Sequence, residues 1–394
     1  MASAPKSDEM YENYFKHCEW GENMLKKITA LVTGISAMLL LSSCSSGLLN
    51  QTAEEGEELT WRITTHQIPG TSRFESTLPV FAEELSKQTN GKFTVEIYGG
   101  GTLFPVTETY DAVARGNVQA AAIFTGFWSS KDPVFNLVTL PGDPISTPEE
   151  HFKRADELGP IFAEAYARSG IKYLGAFDYG PDEIFMSNKK IEKLEDFKGM
   201  SIRGTGVAAQ FYDLLGASTV SIASPELYTA LQLGTVDGAE FNDYLVNSEM
   251  GLHEVTDYVI EPALHTGPAS DKDLIVNDEA WEALPKSYQD AFIAARDKAR
   301  EATAGEYNEA NDAAKQRWID AGVEISQLPE EEVERSQAIA YEWLAGYANK
   351  NELTERYVTK YIEVLRDLGY REEANQIDSM RTELKPNDSG EEER

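Results

Sequence analysis

The stretch Leu194-Glu-Asp-Phe-Lys-Gly-Met-Ser-Ile-Arg203-Gly-Thr-Gly-Val-Ala-Ala-Gln-Phe-Tyr-Asp-Leu-Leu-Gly-Ala217, continued by Asp237-Gly-Ala-Glu240-Phe241, decides how this chain is built. It reads as a short strand ending at Arg203, a Gly-punctuated turn and a helix with apolar periodicity. A second strand-and-helix unit, its helix opened by Ser224-Pro225-Glu226, then delivers Glu240. Repeated units of this kind make an α/β sheet, whose ligands bind beyond the carboxyl ends of the strands. An arginine at such an end, facing a helix N-terminus, is placed to hold an anion.

Working outward, the preceding half repeats the theme. Trp61–His66, Phe93–Tyr98 and Ala120–Phe124 read as strands, separated by helical stretches at Leu78–Thr89 and Thr107–Arg115, the pattern of a mainly parallel sheet. The loop Thr125-Gly-Phe-Trp128-Ser-Ser-Lys131 lies at the carboxyl end of the third strand, which makes Trp128 and Lys131 ligand candidates or, equally, rim residues packed on a neighbouring loop. A long helix from Glu149 and a strand from Ile171 complete this region. Near Tyr179–Glu183 the chain crosses to a second lobe. Tyr258–Ile260 and Asp273–Asn277 lead back, and from Asp278 the pattern is nearly all helix. The expected division is lobe I at 60–180 plus 268–310, lobe II at 181–267 plus 311–384, and a disordered tail at 385–394.

The 394 residues hold 35 Lys and Arg against 67 Asp and Glu, a formal charge of −32. Such a surface repels nucleic acid and anionic headgroups, so polymer binding is excluded as a function class. Met24-Leu-Lys-Lys followed by an apolar run to Cys44 is a secretory signal, too short to span a bilayer comfortably. Its ending, Leu41-Ser-Ser-Cys44, resembles a bacterial lipobox, in which Cys44 becomes the lipidated first residue; the alternative is an ordinary signal with a chance cysteine. Residues 1–23 precede the signal and are expected to be a mis-started or non-native extension. Residues 45–59 are a polar tether. The folded part then carries no cysteine, which excludes disulfides, thiolate metal sites and cysteine nucleophiles.

Gly204-Thr-Gly206-Val-Ala-Ala209 matches the dinucleotide fingerprint, with Glu226 about 20 residues on. An oxidoreductase using this turn is the reading from a different class. Against it stand a short, polar preceding strand and the secretory signal. The five histidines show no metal-ligand spacing, and His265, after Glu261-Pro262, reads as a structural hydrogen-bonding residue. No stretch reads as a catalytic constellation, and the chain is expected not to be an enzyme.

Beyond these readings, Thr109-Tyr-Asp-Ala-Val-Ala-Arg-Gly-Asn-Val, Lys131-Asp-Pro-Val-Phe, Leu194–Arg203, Leu215-Gly-Ala-Ser, Glu226–Glu240 and Trp281-Glu-Ala-Leu-Pro occur in an order and spacing that resemble a TRAP (tripartite ATP-independent periplasmic) transporter solute-binding protein of the DctP type. The resemblance covers about Thr60 to Tyr370. It implies a periplasmic-binding-protein-like α/β fold of two lobes, joined by crossover strands and a long helix. The implied function is capture of a small organic carboxylate for a TRAP permease with two membrane subunits, from a periplasmic, lipid-anchored position. Delivery to a sensor kinase is the alternative. The matching arginine, Arg203, would grip the carboxylate, and the site would draw on Gly206, Glu240, Phe241, Trp128, Tyr98 and Glu183. One subgroup binds 2-oxo or 2-hydroxy acids through a metal. Here its ligands would fall on Glu240, Phe241 and, after the second crossover, Asp271, with calcium or sodium as the ion. The subgroup's upstream glutamine is replaced by Asp182 or Glu183, and its tryptophan by Phe241. An acid at the upstream position points to a cation in the site, or to a ligand with a donor or amine group.

Overall fold

The computed structural model describes residues 54–178, 183–266, 272–302 and 306–384, with backbone alone at 306–308. The signal segment with Cys44, the tether up to residue 53, Asp182, Asp271 and the tail from 385 lie outside the described residues.

Eleven strands among the described residues form two sheets: β1 (Leu59–Thr65), β2 (Phe93–Tyr98), β3 (Ala120–Ile123), β4 (Ile171–Ala176), β5 (Ile184–Ser187), β6 (Ser201–Arg203), β7 (Ser218–Val220), β8 (Gly238–Phe241), β9 (Tyr258–Glu261), β10 (Asp273–Asn277) and β11 (Glu324–Gln327). The helices are α1 (Ser72–Gln88), α2 (Thr109–Ala114), α3 (Pro148–Ala167), α4 (Gly206–Leu214), α5 (Ser224–Gln232), α6 (Tyr244–Glu249), α7 (Asp278–Glu282), α8 (Lys286–Ala302), α9 (Glu306–Asp320), α10 (Glu330–Tyr347), α11 (Glu352–Leu368) and α12 (Arg371–Leu384).

The first sheet has the order β2-β1-β3-β10-β4 and the second β11-β9-β5-β8-β6-β7. Each is mainly parallel with one strand reversed. β10 runs antiparallel between β3 and β4, and β5 antiparallel between β8 and β9. β3 is Ala120-Ala-Ala-Ile with every residue buried, as a central strand covered on both faces requires. The reversed strands are the ones the chain uses to pass between lobes: it enters the second sheet at β5 and returns to the first at β10. Two α/β lobes joined by crossovers result.

The core assignments depart from the expected lobe II span of 311–384 at two places. Residues 352–384 pack on the first lobe, where Tyr357, Tyr361, Leu365 and Ile377 join Val113, Ile123, Phe135 and Phe162 in one apolar cluster. α10 spans both lobes, with Ala340 in a second-lobe cluster and Tyr341 and Leu344 in the first-lobe one. An amphipathic helix carries an apolar face but no label for the sheet it covers, so the sequence pattern does not assign these helices. α8 packs with α1 on the first lobe, and α9 seats the fully buried Trp318 in the second.

At the lobe junction, Asp178 and Lys272 lie on the two crossovers and pair at 2.7 Å, both side chains about 1% exposed. Arg73, from the start of α1, stands 3.7 Å from Asp178 and 3.7 Å from Asp243, which caps α6 in the second lobe. A further bridge joins the Ser72 amide to Glu249 at 2.9 Å.

Behind the first sheet's carboxyl edge, Asp273 is fully buried and accepts from the Thr125 and Tyr173 hydroxyls. Burial pushes its carboxyl up to about 6, against the lowering effect of those hydroxyls. The folded chain therefore holds a proton on Asp273 between about pH 4 and 6 that the unfolded chain releases, so this group's contribution to stability is full below pH 4 and lost as pH rises through 6. The loss amounts to about 3 kcal/mol. Urea melts of wild type and Asp273→Asn across that window should show a stability difference that changes with pH by about this amount. A constant difference would remove the assignment.

Candidate functional site

β6 ends at Arg203, and its parallel neighbour β8 puts Ala239 in register with it, so Glu240 and Phe241 follow at the same sheet edge. On the other side, β5 pairs antiparallel with β8, Ile184 opposite Phe241, which brings Glu183 to the same corner. This close pairing needs Gly238. A Cβ there would lie 2.9 Å from the Met186 carbonyl oxygen and 2.9 Å from the Phe185 ring.

Arg203 and Glu240 are 5% and 3% exposed. The Arg203 Nη1 donates to the Glu240 backbone carbonyl at 2.6 Å and lies 3.0 Å from Glu240 Oε1. Its Nε reaches the Ile222 carbonyl only at 3.4 Å, and Nη2 makes no hydrogen bond among the described residues. The guanidinium sits 5.0 Å from the Phe241 ring centroid, a cation–π contact that holds it flat. Nη2 is left for an incoming carboxylate, and the long Nε bond to Ile222 is the weakest of the guanidinium's contacts.

Glu240 Oε1 also accepts from the Thr205 amide at 2.6 Å and the Thr205 hydroxyl at 3.0 Å. This corrects the dinucleotide reading. Thr205 is the N-cap of α4, and its amide, where a phosphate would be cradled, is already bonded to the chain's own carboxylate. The glycines have packing reasons instead. A Cβ on Gly204 would come 3.1 Å from Ala209 Cα, and Gly206 has φ +55°, in the left-handed region. Gly206 also faces the first lobe, where a Cβ would lie 3.5 Å from Asn136 Oδ1 and 3.8 Å from the Gly126 carbonyl and the Phe124 ring.

Glu183, Glu240 and His265 each turn one ligand atom into a common space, the three atoms within 4.8 Å of one another. His265 is 1% exposed, with Nε2 3.4 Å from Glu183 Oε2 and Nδ1 2.9 Å from the Tyr212 hydroxyl. Burial pushes the Glu240 carboxyl up to about 7; Arg203 opposes this most, Glu183 adds to the rise, and His265 and Thr205 oppose it further.

The structure thus gathers Arg203, Gly206, Glu183, Glu240 and Phe241. It does not bring in three others. Trp128 is buried in the first-lobe core against Tyr110 and Phe127, its Nε1 on the Thr107 carbonyl at 3.4 Å. The 3-10 turn Thr125–Trp128 points it inward and leaves Phe124 toward Gly206. Tyr98 ends the edge strand β2, donates to Glu96 at 2.8 Å, and makes no hydrogen bond or ring contact with the Arg203 cluster among the described residues. Lys131 is paired with Asp111 at 2.8 Å. The Phe241 carbonyl accepts from Asn247 Nδ2 at 2.7 Å. His265, expected as a structural hydrogen-bonding residue, has that bond to Tyr212, and its place beside Glu183 and Glu240 is what sequence reading did not foresee. Its partners are far away in the chain, and only the crossover geometry brings them together.

This fold has counterparts. The family profile for DctP, bacterial extracellular solute-binding protein family 7, matches residues 65–351. The chain belongs to this family. A monocarboxylate 2-oxoacid-binding periplasmic protein of Nostoc sp. is 24% identical to the DctP-family chain over 324 residues, 82% of this chain and 87% of that protein. A TRAP periplasmic solute-binding protein of Pseudoalteromonas atlantica, crystallised with bound sodium and pyruvate, superposes with a TM-score of 0.72 at 23% identity, covering 83% of this chain and 99% of that one. One from Bordetella bronchiseptica, with copurified calcium and picolinate, gives 0.71 at 23% identity, covering 83% and 98%. No helix among the described residues is long and apolar enough to cross a membrane.

Proposed function

We propose that this DctP-family chain captures a small organic carboxylate between its lobes and passes it to the membrane subunits of a TRAP permease, with Cys44 as its lipid tether. It binds without chemistry. The observation that carries this reading is the buried Arg203 guanidinium, fixed by Glu240 and Phe241, with its Nη2 making no hydrogen bond among the described residues and its Nε held only by a long bond to the Ile222 carbonyl. Glu183 and Glu240 would repel a carboxylate, so a cation is needed beside them, and the unbonded His265 Nε2 completes a donor set that can hold one. A bound ion would supply the charge that lets ligand and acids share the corner. Contacts from Gly206 to the first lobe bring both lobes to the same ligand, which favours the closed state.

Hydrogen bonds to a charged group contribute roughly 1.5–3 kcal/mol each. Two of them at Arg203 make up about 3–6 kcal/mol. Titration calorimetry with 2-oxo, 2-hydroxy and dicarboxylic acids should therefore find a binder whose affinity falls by at least about 100-fold in Arg203→Ala, with Arg203→Lys in between. A binder with undiminished affinity in a folded Arg203→Ala would overturn the site.

A further inference from the structure

The donor set at this corner is unlike one made for a hard cation. Calcium is held by six to eight oxygens, and imidazole suits the zinc, nickel and ferrous ions. Here one of three convergent ligand atoms is the Nε2 of His265. We infer that the Glu183–Glu240–His265 cluster binds a transition dication of the zinc or nickel class in preference to calcium or sodium, with the His265 nitrogen as the discriminating ligand. The inference deepens the reading above and shares its location, but its test needs no carboxylate.

Three observations carry it. His265 Nε2 is buried and makes no hydrogen bond among the described residues, which is costly for an imidazole unless that nitrogen has another partner. Its other nitrogen is already placed, 2.9 Å from the Tyr212 hydroxyl. With Nδ1–H donating to that oxygen, the tautomer leaves the lone pair on Nε2, aimed at the two carboxylates. An outer hydrogen bond on the distal nitrogen is the usual support of a ligating histidine.

Charge is the third. Two carboxylates and one guanidinium meet in a largely buried space, and a carboxylate ligand would add a further negative charge. His265 faces Glu183 across this space. That pair stands at 3.4 Å, longer than the roughly 2.7–2.9 Å of a charge-assisted hydrogen bond. Three protein ligands leave open coordination positions, where water or a ligand oxygen can enter.

The test uses the full chain, stripped with chelator and then equilibrated with zinc, nickel, calcium or sodium alone. Metal content by mass spectrometry and melting temperature are read for wild type, His265→Gln and Glu183→Ala. Gln supplies an amide oxygen of similar reach and keeps every surface acid. Wild type should take one equivalent of zinc or nickel at least tenfold more tightly than calcium. His265→Gln should lose that preference, and Glu183→Ala should bind all ions more weakly. Cobalt(II) loaded into wild type should show visible absorption that changes in His265→Gln, a signature that a merely structural histidine would not give. Calcium binding as tightly as zinc, an unchanged preference in His265→Gln, or no stoichiometric metal would each overturn the inference. Arg203-dependent carboxylate binding in a protein that lacks this metal preference would overturn the inference while leaving the proposed function standing. Zinc binding without any carboxylate ligand would do the reverse.

Discussion

Glu240→Ala should lower the unfolding free energy by about 3–5 kcal/mol, the usual cost of removing one partner from a buried ion pair. Arg203 Nη1 loses its ion-pair partner, and the Thr205 amide and hydroxyl lose their acceptor. Arg203 is left charged and 5% exposed. The backbone bond from Nη1 to the residue 240 carbonyl survives the substitution, which keeps the loss at this scale. Urea denaturation is the measurement. The double variant Arg203→Ala/Glu240→Ala should lose less than the sum of the two singles, because the second truncation no longer strands a charge. Additive losses would mean that the pair is not coupled. Glu240→Gln keeps an acceptor for Thr205 and should fall between wild type and alanine.

Asp178→Ala should have an effect of similar size through a different mechanism. Lys272 Nζ, about 1% exposed, pairs with Asp178 Oδ2 at 2.7 Å, and the Lys272 amide donates to Oδ1 at 3.2 Å. Removing the carboxylate strands a buried ammonium and loosens both crossovers where the chain passes between sheets. Arg73 and Asp243 extend the network, so part of the charge is absorbed, and a loss of about 3–5 kcal/mol remains the expectation. Asp178→Asn, which keeps an acceptor for the Lys272 amide, should lose less. A variant within 1 kcal/mol of wild type by urea denaturation would show that the crossovers do not depend on this pair.

Much of the Arg203 corner is legible in sequence because it is built from regular, local units. A strand, a glycine turn and a helix place Arg203 within one segment, and the next unit returns Glu240 and Phe241 to the adjacent strand. What is not legible depends on long-range closure. Glu183 and His265 reach the corner from opposite crossovers, and no spacing rule links them. Trp128 and Phe124 share one aromatic loop, and only the tight 3-10 turn decides which ring goes inward. β7, three residues of Ser218-Thr-Val on an edge, is too short and too exposed to carry a period. β10 reads as an ordinary strand, while its reversed direction comes from a chain that has already visited the other lobe.

The packing of α11 and α12 has a consequence for the order of assembly. The first lobe's core takes Tyr110, Ile123 and Phe162 from the early chain and Tyr357, Leu365 and Ile377 from its last helices. During synthesis the early sheet therefore waits with an apolar face uncovered until almost the whole polypeptide is available. A prematurely terminated product cannot make a half-working receptor with an intact first lobe. It exposes that face to proteases and chaperones instead, so only complete chains persist to compete for solute.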